Sequence, residues 1–171
     1  MPTGLPAPCA VQQVYNLLCR NDFEMGMLEA CSAVNNNVGL IAYSPLAGGA
    51  LTNKYVNPQK VSPEARLRKY VGFMHRYISE PSMSAIKAYN EIAKTLDLPL
   101  STLSSAFCYS RPFVTSTIIG ATDLAQLEAN VMALNLPISK EVLSMINSVY
   151  RQHLDPTKGV FEVIDPVNIN T

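Results

Sequence analysis

Tryptophan is absent from the 171 residues, and only two histidines occur. Charge of one sign is absent too, because 13 Lys and Arg balance 13 Asp and Glu. A chain without net charge has no bulk field to draw in nucleic acid or an anionic membrane surface. Binders driven by overall charge are thereby excluded, whereas a local basic pocket for one phosphate is not. No apolar run reaches the ~18 residues that cross a bilayer, so no membrane insertion is expected. The opening residues, MPTGLPAP, lack the basic start and apolar stretch of a secretory signal, which predicts a cytoplasmic chain. Cysteines are few, at Cys9, Cys19, Cys31 and Cys108, and none forms a C-x-x-C pair. His75 and His153 lie near none of them in sequence, so neither a zinc site nor any other metal site is expected. Free, largely buried thiols in a reducing compartment are the expectation instead. Nor does any Ser/His/Asp set or carboxylate pair stand out.

Apolar residues make up 48% of the chain, enough for one compact core. Residues 1–8 are rich in Pro and Gly and read as loop. Residues 9–14, short, partly β-branched and preceded by prolines, suit a strand, and residues 38–43 form an apolar run of strand length. The second is apolar throughout, as in strands buried on both faces of a parallel sheet. Between them, residues 24–34 place Met27, Leu28, Cys31 and Val34 at helical spacing. Residues 44–79 are polar, hold Gly48-Gly49 and most of the arginines, and show no sustained period. Such a long loop inside a domain tends to be functional. Helical spacing resumes with Met83, Ile86, Tyr89 and Leu96, with Ser79 or Ser82 as caps, and Ser101 is expected to cap a further helix through Phe107. Residues 114–119, VTSTII, predict a strand. Thr122 or Asp123 caps a helix carrying Leu124, Leu127, Val131 and Leu134, and Asp123 with Gln126 suits a capping box. Ser139 caps a last helix carrying Val142, Leu143, Ile146, Val149 and Tyr150. Residues 154–171 read as an irregular tail.

Strands that alternate with helices imply right-handed βαβ units and a parallel sheet. Three strands leave both sheet edges open, which invites self-association. A closed barrel of this type takes eight strands and about 250 residues. The expected fold class is therefore α/β, as part of a TIM (β/α)8 barrel.

Three segments carry a resemblance. The first is VQQVYNLLCR, from Val11 to Arg20; the second is AYSPLAGGALTNKY, from Ala42 to Tyr55; the third is STIIGATDLAQLEAN, from Ser116 to Asn130. Together, and in this order, they resemble the aldo-keto reductases, in the branch that includes the potassium-channel β-subunits. The likeness spans residues 4–153, and Gly4-Leu5-Pro6 is similar to the usual lead-in to the sixth strand. It implies that the three predicted strands are strands 6–8 of the barrel. It further implies that residues 1–171 form the C-terminal half of an NADP-dependent oxidoreductase domain.

By this resemblance the cofactor is NADP(H), and its binding residues fall in two groups. Gln12 bonds the carboxamide, Tyr43 presents its ring to the nicotinamide, and Ser44, Pro45, Leu46 and Gly48 embrace the pyrophosphate. Lys54 and Arg66 contact phosphate, Arg66 through the 2′-phosphate of NADPH. Gly120, Thr122, Gln126 and Asn130 take the adenosine phosphate at a helix start, where free N–H groups favour anions. Each also has a plainer reading. Tyr43 suits the edge of a core, Gly48-Gly49 a simple turn, Arg66 a solvated loop, and Thr122 with Asp123 a cap. Ala129 stands where the family often has Glu against adenine, and Asn53 where it has Gly.

The resemblance puts the family's catalytic Asp, Tyr, Lys and His on the first four strands, so no catalytic residue is assigned here. Tyr15, Tyr43, Lys54 and His75 are not those residues. Two functions follow as expectations. One is an NADPH-dependent reductase of aldehydes and ketones, active when an N-terminal half completes it. The other is a non-catalytic nucleotide-binding or regulatory module.

Overall fold

The computed structural model describes residues 6–158. Gly4 and Leu5 of the lead-in, and residues 159–171 of the expected tail, lie outside the described residues. Among the described residues three strands form, within a residue of the expected bounds: β1 (Ala10–Val14), β2 (Gly39–Tyr43) and β3 (Val114–Ile118). They make one parallel sheet in the order β1-β2-β3. Val14 lies level with Tyr43, and Tyr43 with Ile118, so the C-terminal ends of all three strands meet at one end of the sheet.

The two faces of the sheet differ. Leu40 and Ala42 are 0% exposed and enter the core. Alternation with period two puts Gln12, Val14, Ile41, Tyr43, Ser116 and Ile118 on the opposite face. Val14 is buried, whereas the other five are exposed or half-exposed, and Ile118 is 46% exposed. Parallel sheets are ordinarily covered on both faces.

Among the described residues there are seven α-helices: α1 (Asn21–Glu24), α2 (Met27–Cys31), α3 (Arg66–Lys69), α4 (Glu80–Thr95), α5 (Leu100–Tyr109), α6 (Leu124–Met132) and α7 (Lys140–Gln152). The single helix predicted over residues 24–34 is instead two. Gly26 adopts φ 109, which only glycine takes without strain, and breaks it. The amides of Asn35, Asn36 and Asn37 all turn back to the Ser32 carbonyl, so Val34 lies beyond the helix and is 93% exposed.

Residues 44–79 are not the featureless loop their pattern suggests. They contain α3 and 3-10 turns at Ala47–Thr52, Pro58–Lys60 and His75–Tyr77. Single turns are too short to print a hydrophobic period. They nonetheless deliver Ala47, Ala50, Leu51, Tyr55, Leu67 and Tyr77 to the core.

In α4 the buried positions Ala85, Ile86, Tyr89, Ile92 and Ala93 follow helical spacing, with Pro81 in the first turn. Ser79 stands at its cap position but makes no side-chain cap; its hydroxyl donates to the Arg76 carbonyl at 3.1 Å. Pro99, not Ser101, stands at the cap of α5, because proline lacks the N–H that a helix start leaves unbonded. Ser139 caps α7 as expected, accepting from the Val142 amide.

Helix α6 starts where predicted but ends at Met132, leaving Leu134 in a 3-10 turn at Ala133–Asn135, and its apolar side chains do not reach the core. Leu124 is 68% exposed, Leu127 43% and Val131 47%. The helix touches the interior through Asn130 and the following Ala133. Past α7, the described part of the irregular tail is tied down. The Pro156 carbonyl accepts from Ser82 Oγ, and Thr157 Oγ1 lies 3.3 Å from Cys19 Sγ.

Candidate functional site

The chain leaves β2 at Tyr43 and enters an unusual turn. Ser44, Ala47, Gly48, Gly49 and Asn53 all have positive φ, between 49° and 96°. Small residues and glycine make such a turn affordable. A Cβ on Gly48 would lie 3.0 Å from Met74 Sδ, and one on Gly49 would lie 3.3 Å from Lys54 Nζ. The Lys54 ammonium thus folds back over Gly49, 5.5 Å from the Tyr55 ring centroid.

The carbonyls of this turn are tied inward. Tyr43 O accepts from the Tyr15 amide at 3.2 Å. Ser44 O accepts from Asn16 Nδ2 and from the Ala47 amide, both at 2.9 Å. Pro45 O accepts from Ser104 Oγ at 2.7 Å. A trans peptide carries C=O and N–H on opposite sides. The Leu46 N–H, across the peptide from the Pro45 carbonyl, therefore points away from Ser104 and the core. Backbone N–H groups in such a positive-φ turn, with a lysine in the same segment, suit an anion.

The second half of the site follows β3. Gly120 is exposed, and Thr122 and Gln126 open α6. Asp123 Oδ1 accepts from the Gln126 amide at 2.9 Å, and Gln126 Nε2 donates to Asp123 Oδ2. Gln126 Oε1 in turn accepts from both Thr122 N and Oγ1. The cap is real, although Gln126 reaches the Asp123 side chain rather than its backbone, so the box predicted from sequence closes differently. Asn130 is 5% exposed and links the helix to its surroundings. It donates to the Gly120 carbonyl, receives Ser105 Oγ on its side chain, and takes Tyr109 OH on its carbonyl.

The sheet register brings these halves together, since Tyr43 and Ile118 are neighbours at the strand ends. Gln12 shares the face of Tyr43 but sits two residues short of the end of β1, level with Ile41. It is thus a mid-strand side chain. Arg66 is the exposed first residue of α3. Ala129 is exposed on α6, and the Asn53 side-chain oxygen is buried without a partner.

Ionisable groups near the core are set against charge. Burial pushes the Tyr15 hydroxyl far above its usual range, and its proton is already donated to Glu24 at 2.6 Å. Burial likewise pushes Tyr77 up to about 12, and raises Cys19 beside it. His75 is exposed. Among the described residues there is no cluster of three His, Cys, Asp or Glu that could hold a metal ion. Asn16 and Ser104, which hold the turn, were invisible to pattern reading. Their one signal is a small polar residue inside an apolar stretch.

A small parallel sheet combined with helices defines an α/β protein, and in α/β folds of this kind sites form at the C-terminal ends of the strands. The comparisons make the class specific. The aldo/keto reductase family matches residues 3–151, and the chain belongs to that family. It is 37% identical over 158 residues to an aldo-keto reductase of Babesia bovis, covering 91% of this chain and 55% of the relative. To a probable voltage-gated potassium channel subunit beta of Arabidopsis thaliana it is 32% identical over 134 residues, 77% of this chain and 40% of the relative. The fold resembles a glycerol dehydrogenase from Gluconobacter oxydans with a TM-score of 0.64 at 18% identity, over 85% of this chain and 43% of the other. The chain thus spans about half the length of the relatives it matches.

Proposed function

We propose that the chain is the nucleotide-holding part of an NADP(H)-dependent reductase of aldehydes and ketones. The observation that carries this is the turn after Tyr43, a run of positive φ in which buried Asn16 and Ser104 hold the Ser44 and Pro45 carbonyls and the Leu46 N–H is turned away from Ser104. On this reading Tyr43 stacks on the nicotinamide and Gln12 reaches its carboxamide. Ser44, Pro45, Leu46, Gly48 and Lys54 hold the pyrophosphate. Arg66 takes the 2′-phosphate, and Gly120, Thr122, Gln126 and Asn130 hold the adenosine end at the α6 N-terminus. Thr122 and Gln126 exchange their mutual hydrogen bonds for the ligand. The cofactor supplies the hydride; the protein binds and orients it.

Carbonyl reduction also needs a proton donor beside the hydride acceptor. Strands 6–8 with their helices furnish the cofactor side, and the acid comes with strands 1–5. The open edge of β3 suits such a completion. A depression of about 340 Å3 lies along it, lined by Tyr109, Thr115, Thr117 and Leu134 among others. An added parallel strand there would also cover the apolar side chains of α6.

A second reading, a non-catalytic nucleotide-binding or regulatory module, is favoured by the burial of Tyr15 and Tyr77, whose hydroxyls are engaged inside the core and out of reach of a substrate. Titrating the full chain with NADPH, following cofactor fluorescence, tests the shared claim. Saturable binding is expected, with Arg66→Gln weakening NADPH more than NADH. Absence of saturable binding at millimolar cofactor would eliminate binding by the chain alone. NADPH oxidation with an aromatic aldehyde, with and without an N-terminal half, then separates reductase from module.

A further inference from the structure

Asn16 and Ser104 lie outside every residue set discussed as touching cofactor, yet both are fully buried polar side chains aimed at the same turn. Asn16 sits just past β1. Its Oδ1 accepts from the amides of Leu18 and Cys19 at 2.9 and 3.0 Å, which fixes the side chain in one orientation. Its Nδ2 is thereby presented to Ser44 O. Ser104 comes from α5, on the other side of the turn, and its hydroxyl reaches Pro45 O. Two successive carbonyls are therefore seized by donors from two different elements. Ser44 itself holds a positive φ of 57°, a conformation that costs a non-glycine residue about 1 kcal/mol or more and persists only when its surroundings enforce it.

We infer that Asn16 and Ser104 are positioning residues for pyrophosphate recognition. They turn the Ser44 and Pro45 carbonyl oxygens away from the anion and so aim the Leu46 N–H at it. This rests on the NADP(H) reading above. Without the two donors, the peptide between Pro45 and Leu46 is free to rotate, and a carbonyl oxygen then faces the phosphate in place of an N–H. Preorganised donors stabilise a bound anion because they need not be reoriented when it arrives.

The test uses the full chain with Ser104→Ala, and compares NADPH with adenosine 2′-monophosphate, which lacks the pyrophosphate. Loss of one buried neutral hydrogen bond corresponds to about a fivefold change in an equilibrium constant. The expected result is about fivefold weaker NADPH binding with unchanged affinity for adenosine 2′-monophosphate, because only the first ligand uses the turn. Amide hydrogen exchange of the free protein, read over residues 46–51, should be faster in Ser104→Ala and in Asn16→Ser, with the centre of α5 unchanged. Equal loss for both ligands would make Ser104 merely structural and overturn the inference, as would unchanged NADPH affinity. If the unmutated chain binds neither ligand, the cofactor reading for the isolated chain fails. The exchange data then decide the positioning alone: unchanged exchange over residues 46–51 overturns it, and faster exchange sustains it.

Discussion

Replacing Arg20 by alanine should remove a large part of the chain's stability, and the structure gives the size of the effect. Arg20 is 4% exposed. Its Nε and Nη2 bind the two Glu24 oxygens at 2.9 and 3.0 Å, and its Nη1 donates to Asn147 Oδ1 at 2.9 Å. The guanidinium also lies 4.0 Å from the Tyr150 ring centroid and 5.3 Å from that of Phe107. Burial works against the Arg20 cation, but Glu24 outweighs it and holds the guanidinium pKa above its usual value. Truncation leaves Glu24 as an uncompensated charge with only Tyr15 OH as donor. Breaking a buried ion pair in this way costs about 3–5 kcal/mol. A domain of this kind has only about 5–15 kcal/mol in total. With a urea slope of about 2 kcal/mol per molar, the midpoint should fall by about 2 M. Urea unfolding followed by circular dichroism measures this directly. Arg20→Met with Glu24→Leu removes both charges and should recover most of the loss. A cost below about 1 kcal/mol for Arg20→Ala, or a double variant no more stable than the single one, would refute the reasoning.

Two further outcomes follow from burial and exposure. Tm should hold up to about pH 9 and fall as pH rises through 9 to 12. Burial pushes Cys108 from 9.0 and Tyr77 from 10.0 each up to about 12, and raises Cys19, Tyr15 and Tyr89 as well, so the unfolded chain releases protons before the folded one does; a Tm unchanged from pH 8 to 11 would contradict this. The exposed stripe of Leu124, Leu127 and Val131 should make the chain associate with itself, each leucine gaining about 1.5–3 kcal/mol on full burial. Leu127→Glu with Val131→Lys should shift sedimentation toward monomer, and a monodisperse, cooperatively melting unmutated chain would refute the claim.

The strands were readable to within a residue at each end, because short runs of strand length follow Pro-rich or Asn-rich turns at residues 9 and 38, and β-branched residues concentrate at 114–119. Helix α7 was readable from Ser139 and its five spaced apolar residues. The failures have physical causes. Gly26 sits inside a helical pattern, and spacing alone cannot say that it takes a positive φ. Residues 44–79 build core from single turns, for which there is no period to detect. The α6 stripe was correctly read as one apolar face, but periodicity reports that a face seeks cover and not whether cover is present. For the site, the turn after Tyr43 was visible through its Gly48-Gly49 and its resemblance. Asn16 and Ser104 were not, because a hydrogen bond to a backbone carbonyl 28 or 59 residues away leaves no local pattern.

The two halves of the candidate site are anchored very differently, and this bears on how ligand and partner act together. The Ser44–Leu46 turn hangs on fully buried donors and on Ala47, Ala50 and Leu51, all essentially without exposure. Helix α6 hangs mainly on Asn130, whose side-chain bonds to Gly120 and Ser105 are both long, at 3.4 Å. Its apolar side chains contribute little until something covers them. A nucleotide that spans both halves must fix α6 against the turn, and so must any strand and helix added beside β3. Two events that order the same element lower each other's entropic cost. On the proposed reading, binding of NADPH and closure of the β3 edge should therefore be mutually reinforcing, with reciprocal effects on affinity. In practical terms, the cofactor should bind the completed assembly more tightly than the isolated chain, and by the same factor NADPH should tighten the assembly. A partner that left cofactor affinity unchanged would mean that α6 is already fixed without it.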